Sequence, residues 1–76
     1  MTKEEFLNVY ARKLKARHLW ARDPDHLERF LSCVRITITD EIDTWTPAGD
    51  ALTAAWRELG GVGEPTKEAL RALPDR

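Results

Sequence analysis

The sequence predicts an all-α fold: a single helical domain over residues 1–76, a small bundle of three helices plus a short C-terminal fourth. Three observations carry this. Apolar residues recur at threes and fours from Leu27 to Trp45. Asp23-Pro24 and Thr46-Pro47 are cap-then-proline openings of helices. Gly60 and Pro74 stand where helices stop.

The first helix opens on a capping box, Thr2 followed by Glu5, in which the hydroxyl serves an orphan N–H and the glutamate reaches back to the cap. It runs to about Arg17 with Phe6, Leu7, Tyr10 and Leu14 on its apolar side. His18 to Arg22 connects it to the next helix and carries Trp20. A tryptophan in a connector folds back over the core; a stacking platform for a base or ligand is the rarer use.

The central helix is expected from Asp23 to Trp45, with Leu27, Phe30, Leu31, Val34, Ile38, Ile42 and Trp45 within an arc of roughly 120°. The sequence places the rest of the chain around this helix. A strand over 34–39 competes, because Val34, Ile36 and Ile38 alternate with Arg35, Thr37 and Thr39. A strand needs a partner, and no second alternating run exists in the chain.

Thr46-Pro47 opens the third helix, with Ala48, Leu52, Ala55, Trp56 and Leu59 on a narrow stripe and Gly60 as its stop. In the turn Gly61-Val62-Gly63-Glu64-Pro65, Val62 is the side chain expected to anchor. Pro65 or Thr66 starts the last helix, with Ala69, Leu70 and Leu73 apolar and Pro74 ending it. A helix this short holds only if it docks.

Composition bounds the function. A hydrophobic share of 42% with three tryptophans supports a globular core and argues against a disordered chain. The single cysteine points to a reducing compartment, the start lacks the pattern of a secretory signal, and no apolar run reaches the roughly 20 residues of a membrane span. A soluble, cytoplasmic protein with no membrane partner is expected.

The net charge of -1 hides an asymmetry: residues 1–22 carry +4 and the remainder -5. This fits two elements attracting each other within one fold, with the acids of Asp40-Glu41-Ile42-Asp43 facing the basic first helix. An anionic or protein partner for those bases is the alternative.

No constellation of catalytic residues is present. His26 and Cys33 share the polar side of the central helix, but two turns put their backbones about 10 Å apart, beyond a shared zinc ion or a thiol–imidazole hydrogen bond. Gly60-Gly61-Val62-Gly63 lacks the lysine, hydroxyl residue and preceding strand of a phosphate loop. Neither an enzyme nor a cofactor is expected.

Two binding readings follow. In the first, Ile36 projects opposite the apolar stripe with Arg29 and Cys33 beside it, so these three residues form a contact surface for a protein partner or for self-association. In the second, residues 48–73 form a helix-turn-helix-like unit whose last helix offers Thr66, Lys67 and Arg71 to a nucleic-acid groove. Glu64 and Glu68 oppose phosphate approach, and a pI near 6.1 is not a basic footprint, so the first reading leads.

The C-terminal third, from Ala54-Ala55-Trp56-Arg57-Glu58-Leu59-Gly60 through Pro65-Thr66 to Ala69-Leu70-Arg71-Ala72-Leu73-Pro74, resembles the tails of short uncharacterised bacterial and prophage-encoded proteins. That resemblance implies no function.

Overall fold

Thr2 accepts from the Glu5 N–H at 3.1 Å while the Glu5 carboxylate accepts from the Thr2 N–H at 3.2 Å, so the expected capping box opens α1, Lys3–Arg17. The computed structural model describes residues 1–40 and 49–75, residues 39 and 40 through their backbone. A 3-10 turn, Leu19–Arg22, leads into α2, Pro24–Asp40; α3, Gly49–Glu58, and α4, Lys67–Arg71, follow. Every regular element among the described residues is helical, as the apolar periodicity predicts. The run 34–38 lies within α2, so its alternation marks no strand there. Ile42, Trp45, the acids Glu41 and Asp43, and the Thr46-Pro47 opening all lie outside the described residues.

The core is organised differently from the expectation. Phe6, Leu7, Val9, Tyr10 and Leu14 of α1 are buried against Ala51, Leu52, Ala55 and Trp56 of α3. This α1–α3 pairing is the most extensive in the described structure, and α1 meets α2 over a shorter stretch. From α2, Leu27, Val34 and Ile38 are buried, while Phe30 and Leu31 sit half-buried at the rim. The reason lies in residue size on one side. A row of alanines in α3 lets its backbone approach α1 closely, whereas the bulky stripe of α2 holds that helix further out.

Aromatic rings join the elements. The Trp56 ring meets Phe6 edge-on, with centroids 6.4 Å apart; Phe6 stacks on Tyr10 at 5.8 Å, and Tyr10 reaches Phe30 of α2 at 6.2 Å. Trp20 then closes over Phe30 at 5.0 Å, with His18 at 5.6 Å and His26 at 5.0 Å against its ring. These separations are those of favourable aromatic contacts. Trp20 is therefore the core lid expected of it, its ring occupied by three neighbours.

The end of α3 shows how backbone geometry replaces a side chain. The Gly61 N–H donates to the Trp56 carbonyl at 2.8 Å and the Gly60 N–H to that of Arg57 at 3.1 Å, which together form a Schellman cap. Gly60 takes φ 86°, the left-handed conformation glycine adopts without penalty. Val62 does not anchor the turn: it is 91% exposed. Its carbonyl oxygen does so instead, accepting from the Trp56 indole N–H at 3.3 Å.

α4 is capped at its start and docks through Leu70. Thr66 accepts from the Ala69 N–H at 3.1 Å, Leu70 is fully buried, and the chain beyond it returns to the start of α1. There the Pro74 carbonyl accepts from the Lys3 N–H at 2.8 Å, and the Lys3 ammonium pairs with Asp75 at 3.1 Å. One orphan donor of the first turn of α1 is thereby satisfied by the C-terminal tail.

Candidate functional site

The exposed side of α2 is where the sequence places its contact surface. Asp23 opens the helix, its carboxylate accepting from the Asp25 N–H at 3.1 Å and its carbonyl from the Leu27 N–H at 3.0 Å. That cap sets where the helix begins, and its apolar stripe turns toward the 3-10 turn, α4 and α1 while the polar positions turn outward. Arg29, Cys33 and Ile36 are all exposed, Ile36 at 44%. They occupy neighbouring positions on the helix surface, as their spacing of four and three requires.

This surface is shaped rather than flat. An open depression of about 300 Å³ is bordered by His26, Arg29, Phe30 and Cys33. A second, of about 810 Å³, lies on the other side of the Arg29–Cys33 ridge and is bordered by Asp25, Glu28 and Ser32 as well. His26 and Cys33 thus share one depression, although no hydrogen bond joins them among the described residues. Behind the ridge, the Thr37 hydroxyl donates to the Cys33 carbonyl at 2.9 Å, which satisfies the buried polar side chain of α2. The guanidinium of Arg29 lies back along its own helix, its Nε 3.4 Å from the Asp25 carbonyl oxygen.

The residues of the helix-turn-helix reading are drawn into the fold. Thr66 caps α4, and Arg71 donates from Nε to the Ile38 carbonyl at 3.0 Å and from Nη2 to the Thr37 carbonyl at 3.2 Å. Lys67 is half-buried at the start of α4. At five residues, α4 is too short to lie along a groove while presenting several side chains to it.

The basic first helix finds an acid on α3. Glu58 accepts from Lys13 at 2.7 Å and from Arg12 at 3.2 Å. The Lys13 hydrogen bond, with the Lys13 and Arg12 charges behind it, holds the Glu58 carboxyl below its ordinary value of 4.5, against a smaller opposing effect of desolvation. Part of the charge asymmetry is thus internal. The expected pairing with Glu41 and Asp43 lies outside the described residues.

Among the described residues, no group of three His, Cys, Asp or Glu side chains is placed to hold a metal ion, and no helix is long and apolar enough to cross a membrane. No protein-family model, no curated protein and no solved structure matches the chain.

Proposed function

We propose that this chain is a small helical interaction protein without chemistry of its own, working in the cytoplasm, and that the outward side of α2 around Arg29, Cys33 and Ile36 is its contact surface. One observation carries the reading. A β-branched aliphatic side chain, Ile36, is 44% exposed in line with the exposed Cys33 and Arg29, on a helix whose opposite side is buried. Apolar side chains rimmed by polar ones are the composition of a protein contact. The depressions flanking the ridge provide relief into which a partner's side chains fit. The partner is another protein or a second copy of the chain.

A nucleic-acid role through Thr66, Lys67 and Arg71 has less behind it, since Thr66 and Arg71 already serve helix ends within the fold. Sedimentation over a concentration series, comparing wild type with Ile36→Glu, tests self-association. Mass that rises with concentration in the parent and not in the variant supports it. A parent that stays monomeric leaves the surface to a different protein.

A further inference from the structure

A second surface lies on the side of α2 that faces α1. Because these two helices meet over only a short stretch, a groove of about 530 Å³ remains between the end of α1, the 3-10 turn and α2. Pro24, Leu27 and Leu31 give it an apolar lining, and the bases Lys15, Arg22 and Arg35 stand around it against one acid, Glu28. At about 100° per residue, Leu31 lies roughly 140° around the helix from Ile36, so the apolar lining is distinct from the surface described above, although Glu28 and Ser32 border both.

Two of the bases have no acidic counterpart among the described residues. Arg22 donates from Nε to the Lys15 carbonyl at 3.2 Å, which fixes it at the rim, and neither it nor Lys15 makes an ion pair with a described carboxylate. Arg35 stands at the other end, 4.0 Å from Glu4. From Pro24 to Arg35 the groove follows α2 for about 16 Å, three turns of helix, which is long for a compact ligand and suits a helical segment.

We propose that this groove docks an acidic amphipathic helix from a partner protein, with leucine-sized side chains over Leu27 and Leu31 and carboxylates toward Lys15, Arg22 and Arg35. The apolar lining gives the contact its burial, and the cations select the sign of the partner and speed the encounter. This site does not depend on the Ile36 surface.

The test uses a fluorescein-labelled helical peptide of about 18 residues, with leucines at spacings of three and four and glutamates flanking them, alongside its lysine-for-glutamate twin. The expected result is at least about tenfold tighter binding of the acidic peptide, weakened about tenfold by Lys15→Glu with Arg22→Glu and by raising salt, and unmoved by Arg57→Glu. Amide shifts should fall on Leu27 and Leu31. Lys15→Glu alone, at a side chain with no ion pair among the described residues, keeps the test open if the double variant disturbs the turn. Equal binding of the two peptides, insensitivity to Lys15→Glu, shifts confined to Arg29, Cys33 and Ile36, or stronger binding of a duplex DNA probe would each overturn the proposal. Shifts at those three residues would still leave the Ile36 surface standing.

Discussion

Arg71 donates from Nε to the carbonyl oxygen of Ile38 at 3.0 Å, so a side chain of the five-residue α4 holds the last described turn of α2. Nη2 reaches the Thr37 carbonyl beside it, and the fork of a guanidinium spans both acceptors at once. Arg71→Met keeps the aliphatic stem and removes every donor. Expected is a loss of about 1.5 to 3 kcal/mol in urea unfolding, with Arg71→Lys recovering only part, because an ammonium is a point charge.

Gly61 lies flat on the Trp56 indole, where a Cβ would overlap Cδ2, Cε2 and Nε1. Gly61→Ala is therefore expected to displace the ring and its bond to Val62, costing about 1 to 3 kcal/mol and changing the near-ultraviolet dichroism. Gly60→Ala meets no neighbour and costs about 1 to 2 kcal/mol through its left-handed backbone alone, with the aromatic signal kept.

The same substitution at two leucines separates the hub from the rim. Leu14 is fully buried in α1 and Leu31 is half-buried in α2. Leu14→Ala is expected to cost about 2 to 5 kcal/mol and Leu31→Ala clearly less. Thermal melts of the two variants measure that difference.

Much of this architecture was legible in the sequence. Thr2 with Glu5, Asp23 with Pro24, Gly60 and Thr66 are local signals whose physics is complete within one turn, and each stands where its residue type predicts. Which helix lies at the centre was not legible. The longest apolar stripe belongs to α2, yet the closest packing falls to α1 and α3, because small residues such as Ala51 and Ala55 set approach distance and contribute little to an apolar pattern. Val62 misled for a related reason: a valine in a glycine turn looks like an anchor, while the carbonyl that does the anchoring has no sequence signature. That Arg29, Cys33 and Ile36 lie exposed along one side of α2 was readable from helix phase alone; the groove beside Lys15 and Arg22 required knowing how far α1 and α2 stand apart.

Glu58 provides the pH test. Its folded carboxyl is held below its unfolded value, so its contribution is present above about pH 4.5 and is lost as pH falls through the lower folded value. Stability measured from pH 7 downward should decline in that acid range, and Glu58→Gln should reduce the decline. Charge reversal at Lys13, whose hydrogen bond to Glu58 is the leading cause, should flatten it in the same way.

The claim that the outward side of α2 is where this chain meets another protein has a direct test, because Cys33 is the single cysteine and is exposed. A benzophenone attached through its thiol is irradiated with the protein at high concentration, and again in extract of the source cells, for the parent and for Ile36→Glu. The account predicts a defined cross-linked species from the parent that disappears with Ile36→Glu while the variant's melt stays unchanged. A parent that yields only uncrosslinked chain, or a species that survives Ile36→Glu undiminished, would contradict it.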